Sequence, residues 1–200
     1  MVLNSMHYYL REPDQRRSLL LQFAICIAMF SIISAPHAAG IGQALEQRVK
    51  AAFLYKFGGY VEWPSTAFDS PESPLTLCLI GTDPNFNATL ETMVQEENVH
   101  GRSIMVRQLQ TPEDEAGCHI LYIGIPDPEY SSAAIDAVRG KSVLTVTESA
   151  SQGIIGFLNA DNRVRFNIDD QAAAENGLVI SSKLLDLAVN VKRRDTMGGQ

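Results

Sequence analysis

The stretch that decides the fold runs from Val49 to Pro64, with the sequence Val-Lys-Ala-Ala-Phe-Leu-Tyr-Lys-Phe-Gly-Gly-Tyr-Val-Glu-Trp-Pro. Within and just before it, an apolar residue recurs at every fourth position, which is the spacing of an amphipathic helix. These residues are Leu45, Val49, Phe53 and Phe57. Glu46 and Lys50 are four residues apart and predict an ion pair on the same helix.

Apolar residues also occur outside this stripe of the predicted helix. Leu54 lies about half a turn away from the stripe and Tyr55 lies beside it, so little polar surface is left between residues 51 and 57. We therefore expect the helix to be covered on two sides. The cover is either a sheet and a neighbouring helix or the surface of a partner protein.

The first forty residues have the composition of a targeting segment. Three arginines precede an apolar run from Ser18 to Ile33, and Pro36 follows it among small residues. We predict a cleavable signal peptide over residues 1–39 and export to the periplasm. The alternative is a retained anchor, although the most apolar part of the run is shorter than the roughly 20 residues of a membrane span.

Length and charge set limits on the rest of the chain. The 200 residues, less the signal, predict one α/β domain over residues 40–192, followed by a disordered tail over 193–200. The formal net charge is −7 and the pI is about 5.1, and lysines and arginines cluster only near the chain ends. This charge excludes a nucleic-acid-binding surface.

Strand-like and helix-like segments alternate through the middle of the chain. The strand-like runs are Leu75–Ile80, Ser103–Arg107, Cys118–Ile123 and Val143–Thr147. Prolines suited to the first helical position, Pro84 and Pro128, begin the helices. This alternation predicts a mostly parallel sheet flanked by helices, with right-handed crossovers.

The last quarter of the chain has a different pattern. Residues 154–158 and 164–168 are joined by a turn-rich link, which predicts an antiparallel hairpin at the edge of the sheet. Asp169 or Asp170 caps a short helix, and Ser181 or Ser182 caps a closing one. Beyond it we expect the chain to fray from Lys192 onward.

Two separated segments resemble the YfiR-like family of small periplasmic regulators. The first is the run from Lys50 to Tyr55, which leads into Val61-Glu62-Trp63-Pro64. The second is 162–168, followed by Gly177-Leu178 and the segment 180–188. Together they bracket nearly all of the chain after residue 45.

The resemblance implies a regulatory function. It implies a periplasmic protein that holds down the sensor domain of an inner-membrane diguanylate cyclase, lowering cyclic-di-GMP and biofilm formation. It also implies a homodimer and an outer-membrane partner that sequesters the protein. Such a protein needs an exposed apolar anchor with a polar rim, for which Tyr55, Tyr60 and Trp63 are the aromatic candidates. Core packing is the alternative role for each of them.

Two cysteines, Cys78 and Cys118, remain after export. An oxidising compartment allows them to pair, whereas the alternative is two buried thiols. We predict a disulfide, because neither cysteine has another partner in the exported chain. Members of the YfiR-like family carry structural disulfides, and this pair resembles one of them in placement, while a second pair found in the best-known members is missing here.

The alternative function is a periplasmic small-ligand-binding protein or enzyme that uses the carboxyl edge of the sheet. Its candidate residues are Asp83 and Asp127, with Gly81 and Gly124 beside them, although capping a helix is the other role for Asp83. The sequence contains neither a Gly-x-Ser-x-Gly elbow nor a His-Glu-x-x-His helix. We predict no catalytic residue, no metal, no cofactor and no enzymatic activity.

Overall fold

A central β-sheet with helices on both faces organises the chain. The computed structural model describes residues 37–194. Residues 1–36 of the predicted signal peptide and residues 195–200 of the predicted tail lie outside the described part. The strands are β1 Val61–Glu62, β2 Leu75–Ile80, β3 Asn98–Val99, β4 Arg102–Gln108, β5 Ile120–Ile123, β6 Leu144–Thr147, β7 Ile155–Ala160, β8 Arg163–Asp169, β9 Val179–Ile180 and β10 Val191–Lys192. The helices are α1 His37–Gly58, α2 Pro84–Val94, α3 Pro128–Ala137, α4 Asp170–Glu175 and α5 Ser182–Leu185, with 3-10 turns at Ser65–Ala67 and Pro112–Asp114.

Eight of these strands form one sheet in the order β10-β8-β7-β6-β5-β2-β4-β3. Five neighbouring pairs are parallel, and the β7–β8 and β3–β4 pairs are antiparallel. The predicted mostly parallel α/β fold with a C-terminal antiparallel hairpin and a closing helix is therefore confirmed. Within residues 37–194, no helix combines the length and the hydropathy that crossing a membrane requires.

Each face of the sheet has its own apolar cluster. Side chains of α1 and α2 pack on one face, where alternate residues of β2 (Leu75, Leu77 and Leu79) point. The other alternate residues, among them Cys78 and Ile80, point to the opposite face and are covered by α3. Both faces of the central strands are buried, which explains why β2 is apolar along nearly its whole length.

Helix α1 meets the sheet through a different face from the one that the four-residue spacing predicts. Ala51, Leu54 and Phe57 are fully buried, whereas Leu45 is 62% exposed. The reason is geometric: an α-helix turns about 100° per residue, so each step of four residues places the next side chain about 40° further around the axis. The three steps from Leu45 to Phe57 therefore shift the stripe by about 120°. Only the Phe57 end of the predicted stripe therefore faces the sheet.

Two further parts of the α1 surface are covered, one by the β7–β8 hairpin and the other by the link after α2. The ring of Phe53 stacks on that of Phe57, and its centroid lies 5.5 Å from that of Phe166 in β8. On another side, the Tyr55 hydroxyl donates a hydrogen bond to Glu97, just beyond α2. The structure thus accounts for both half-buried aromatic side chains of α1 by contacts within the chain.

The C-terminal end of the described chain is ordered by pairing, contrary to the expectation of fraying. Strand β10 pairs with β8, so the β7–β8 hairpin lies one strand in from the edge of the sheet. The Arg194 guanidinium donates two hydrogen bonds to Asp170, of 2.7 and 2.8 Å. The prediction that the hairpin lies at the edge of the sheet is therefore wrong. The prediction that the chain frays from Lys192 is wrong as far as Arg194. Two residues are too few for β10 to leave a strand signal in the sequence.

A two-stranded antiparallel ribbon joins the Val-Glu-Trp-Pro motif to the C-terminal segment. Val61 pairs with Ile180 and Glu62 with Val179, and the Ser181 N–H donates to the Tyr60 carbonyl at 2.9 Å. Val61 and Ile180 are buried against the core. The two segments that carry the family resemblance are therefore partners in space.

Cys78 and Cys118 form a disulfide, with their Cα atoms 5.8 Å apart. The prediction of this bond is confirmed. The bond closes a separation of 40 residues and ties β2 to the start of β5. In the chain-entropy description, a closed loop of this length stabilises the folded state by about 4 kcal/mol.

We expect reduction of this disulfide to lower the free energy of unfolding by about 4 kcal/mol, because the unfolded chain regains the entropy of the open loop. Urea unfolding of the protein without its predicted signal peptide, with and without a thiol reductant, measures the loss. Thiol titration of the oxidised, unfolded protein supplies the control and should find neither cysteine free. Two titratable thiols would contradict the bond.

Candidate functional site

A cleft of about 550 Å³ lies at the carboxyl edge of the sheet. Its walls come mainly from the segments that follow β2, β5 and β6, and from residues 43–50 in the middle of α1. Crevices at this edge are where open α/β sheets bind ligands. The cleft is therefore the strongest candidate for a small-molecule site.

Lys50 and Glu148 form an ion pair at the base of this cleft. The Lys50 ammonium lies 2.7 Å from Glu46 on α1 and 2.7 Å from Glu148, which follows β6. The predicted Glu46–Lys50 pair is thus confirmed, and Glu148 is a further partner from a distant part of the sequence. Burial lowers the pKa of Lys50, but the hydrogen bonds to Glu148 and Glu46 outweigh it and raise the pKa above its ordinary value.

Tyr122 of β5 completes this network. Its hydroxyl donates a hydrogen bond to the second carboxylate oxygen of Glu148. Burial, followed by the charge of Glu148, raises the pKa of Tyr122 far above its ordinary value, so the hydroxyl stays protonated and remains a donor. Glu148 therefore accepts bonds from α1 and from β5 at once, and its carboxylate is fixed in the cleft.

The two aspartates predicted for a ligand edge both cap helices. Asp83 precedes α2 and accepts a hydrogen bond from the Asn85 N–H at 2.7 Å. Asp127 precedes α3 and accepts from the N–H groups of Glu129 and Tyr130. Asp83 lines the cleft and Asp127 does not. The alternative role of Asp83 as a helix cap is confirmed.

Gly81 and Gly124, which were predicted beside these aspartates, also line the cleft. A Cβ atom on Gly124 would lie 2.7 Å from the Thr82 methyl group, so glycine allows the loops after β2 and β5 to approach closely. Sequence reasoning missed Glu148 and Tyr122 as members of the site. The signal for Glu148 was a carboxylate directly after an apolar strand, the same signal that led to Asp83.

A second cleft, of about 340 Å³, lies beside β8 and β10. Two of its charged groups, Asp169 and Lys192, form an ion pair of 2.8 Å with each other. Asp169 also caps α4 through the Ala172 N–H. The charges of this cleft are thus engaged in holding β10 and α4 in place. Among residues 37–194, moreover, no group of three or more His, Cys, Asp or Glu side chains is arranged to hold a metal ion.

The three aromatic candidates for partner binding have different surroundings. Tyr60 is exposed, at 39% of its surface, beside β1. Tyr55 and Trp63 are half-buried and pack against the main core cluster. Val179 is 48% exposed and lies opposite Glu62 on the outer face of the β1–β9 ribbon, and the exposed Tyr60 directly precedes β1. We refer to Tyr60, Glu62 and Val179 as the ribbon surface.

Trp63 packs next to a buried histidine. The rings of Trp63 and His119 meet edge to face, with centroids 6.4 Å apart. His119 accepts a hydrogen bond from the Thr76 N–H at its Nδ1 atom, so Nε2 carries the proton and donates to the Ala67 carbonyl. Burial lowers the pKa of His119, although the bond to Ala67 opposes the shift. His119, predicted only as a strand residue, thus joins β2 to the turn after Trp63.

We expect Lys50→Met to lower the free energy of unfolding by about 3 kcal/mol, because Glu148 then stays partly buried without its cation. The double variant Lys50→Met with Glu148→Gln should regain most of this loss, since glutamine accepts the Tyr122 hydrogen bond without a charge. Urea unfolding measures both. Arg139→Met, which removes the exposed pair with Asp136, is the control and should cost much less than Lys50→Met. A double variant as unstable as the single one would contradict the ion pair.

Stability should fall as the pH falls below the ordinary His pKa of 6.5. A histidine whose pKa is lowered by folding binds fewer protons in the folded than in the unfolded chain, so acid favours unfolding by up to about 1.4 kcal/mol per pH unit. His119→Asn keeps an acceptor for Thr76 and removes the titration. Urea unfolding between pH 7.5 and 5.5 should show a shallower slope for this variant, and parallel curves would exclude His119 as the cause.

The comparison with known protein families extends over most of the described chain. The sequence model of the YfiR/HmsC-like family matches residues 47–189. The matched range begins in α1, includes both strands of the β1–β9 ribbon and ends just before β10. It contains Lys50, Glu148 and the disulfide. The chain belongs to the YfiR/HmsC-like family.

Proposed function

We propose that this protein is a periplasmic regulator that binds the periplasmic sensor domain of an inner-membrane diguanylate cyclase and inhibits it. Less cyclic-di-GMP and less biofilm would follow from the inhibition. The protein would act by binding and would carry out no reaction of its own. The observation that carries this proposal is membership of the YfiR/HmsC-like family over residues 47–189.

One structural feature and one sequence feature support a protein exported from the cytoplasm. The Cys78–Cys118 disulfide is the kind of bond that forms and persists in oxidising compartments such as the periplasm. The apolar segment 18–33 with preceding arginines has the composition of an export signal. Both fit a binding partner in the envelope.

We place the contact with the cyclase on the ribbon surface. Tyr60 directly precedes β1 and is exposed, Val179 of β9 is exposed, and Glu62 lies opposite Val179. An exposed aromatic ring with an aliphatic neighbour and a charged rim has the composition of a protein interface. Tyr55 and Trp63, also candidates from the sequence, would contribute through their exposed parts. A homodimer and an outer-membrane partner that sequesters the protein belong to the same proposal.

Deletion of the gene tests the proposal in the bacterium. We expect cyclic-di-GMP to rise on deletion only while the neighbouring cyclase gene is intact, because the protein acts through that enzyme. Complementation with the wild type should restore the low level, and the variant Tyr60→Ala with Val179→Ser should fail to do so.

Met105→Ser is the matched control for this complementation. Met105 is 51% exposed on β4, outside the ribbon surface, so its loss removes a similar apolar side chain from another face. It should restore the low level. Unchanged cyclic-di-GMP on deletion would count against inhibition of a cyclase, and full complementation by the Tyr60 and Val179 variant would count against the ribbon surface.

A further inference from the structure

We propose that His119 is a pH-sensitive switch, whose protonation releases residues 63–69 from the central strands of the sheet. These residues lie in the link between β1 and β2, and we refer to them as the 63–69 segment. None of them is buried, although Trp63 and Phe68 are half-buried against the core. A segment with so little buried surface opens locally at a lower cost than the sheet does. Its position therefore depends on a few specific contacts.

His119 supplies three of these contacts. Its Nε2 atom donates a hydrogen bond to the Ala67 carbonyl, with 2.9 Å between nitrogen and oxygen. Its ring stacks on that of Phe68, with centroids 4.2 Å apart and planes 15° from parallel. The ring of Trp63 packs against it edge to face. One side chain at the start of β5 thus holds both aromatic rings of the segment and one backbone carbonyl.

The bond at the other ring nitrogen requires His119 to be neutral. The Thr76 backbone N–H donates to Nδ1 at 3.0 Å. A backbone N–H is always a donor, so Nδ1 carries no proton in this arrangement. A proton added at Nδ1 would point at the Thr76 N–H, and two donors form no hydrogen bond. Protonation therefore requires the ring of His119 and the Thr76 amide to separate.

The backbone of His119 is fixed, so the ring and the segment that covers it move instead. The His119 N–H donates to the Thr76 carbonyl, and the His119 carbonyl accepts from the Leu144 N–H, at 2.9 Å each. The preceding residue, Cys118, belongs to the disulfide. The ring separates from Thr76 by rotating toward solvent, which displaces the 63–69 segment rather than β5.

Burial is the main reason that the pKa of His119 is lowered, and its neighbours modify the shift. The bond to Ala67 and the charge of Asp69 oppose the shift, whereas the charge of Arg102 adds to it. The Arg102 guanidinium lies over the ring of Phe68, 3.8 Å from its centroid, and binds two carbonyls just beyond the segment. Strands β2, β5 and β6 contain no charged residue. The closed arrangement thus disfavours a positive charge on His119.

Release exposes Trp63, which is the only tryptophan of the chain. Its indole N–H is buried and has no hydrogen-bond acceptor within residues 37–194. A buried donor without a partner is costly, so its return to water lowers the cost of opening. Trp63 is also one of the aromatic candidates for partner binding. Acid would therefore add this side chain to the surface next to β1.

Hydrogen exchange of the Thr76 amide tests the switch, because this N–H loses its acceptor when His119 moves away. The protein is used without its predicted signal peptide, so that His100 and His119 are its two histidines. We expect the protection of Thr76, corrected for intrinsic exchange, to fall about tenfold between pH 7.5 and 5.5, since opening lets a histidine of lowered pKa bind a proton. The Trp63 indole N–H should lose protection in parallel. Equal protection at the two pH values would overturn the switch.

Urea distinguishes release of the segment from unfolding of the whole protein. Exchange through local opening responds little to urea, whereas exchange through global unfolding accelerates with it. At low urea concentrations we expect exchange at Thr76 to stay constant and exchange at Leu77, the next residue of β2, to accelerate. Equal acceleration at both would show that protonation acts only by unfolding the sheet, and it would overturn the proposal.

A pair of histidine variants assigns the response. His119→Asn keeps an acceptor for Thr76 and removes the titrating group, so protection there should no longer depend on pH. His100→Asn is the matched control, because His100 is exposed in the turn before β4 and asparagine tolerates its φ of 51°. This control should retain the tenfold loss. A loss that persists in His119→Asn, or that disappears in His100→Asn, would overturn the role of His119.

Nitrogen-15 NMR of the wild-type ring supplies the assignment if His119→Asn unfolds at a lower temperature than the wild type. At pH 7.5 we expect a neutral ring with its proton on Nε2. A proton on Nδ1, or a protonated ring that leaves the Thr76 amide protected, would overturn the switch. Each measurement uses the isolated protein without a partner. The result is therefore independent of whether the protein inhibits a cyclase.

Discussion

The attachment of α1 to the sheet is the constraint on which the rest of the structure depends. Ala51, Leu54 and Phe57 bury the helix on one face of the sheet, and the Lys50–Glu148 ion pair anchors it at the carboxyl edge. Desolvation offsets much of the attraction in a partly buried charge pair of this kind, so apolar burial supplies most of the attachment. The pair joins the helix to the segment after β6. In the same step it forms one wall of the cleft.

The opposite end of the molecule is held by different chemistry. The disulfide ties β2 to the start of β5, and the neighbouring His119 binds both the Thr76 amide and the Ala67 carbonyl. The turn after the Val-Glu-Trp-Pro motif is therefore fastened to the central strands. Because the motif also pairs with β9, the C-terminal segment is fixed to the same framework.

The cleft and the ribbon surface are two separate candidate surfaces of the protein. The cleft contains the hydrogen-bonded carboxylate of Glu148, and the ribbon surface presents Tyr60 and Val179 to solvent. Helix α1 connects them, since its residues 43–50 border the cleft and its last residues lead into β1.

Much of this architecture follows from local pattern. The apolar run of β2, the caps at Asp83 and Ser181, the β7–β8 hairpin and the pairing of Cys78 with Cys118 were all predicted from the sequence. Each depends on a signal contained in a few residues, or, for the cysteines, on having no other partner. The two-residue strands β9 and β10 carry no such signal, and only pairing with distant segments forms them.

The sequence by itself determined the fold class, the family and the residues that are able to carry charge or to pair. Tertiary structure decided which face of α1 is buried, that Lys50 meets Glu148 across 98 positions, and that Tyr60 rather than Trp63 is exposed. The physical reason is that helical spacing restricts the buried face of a helix only to within about a third of a turn. The contacts that select among those faces come from residues far away in the chain.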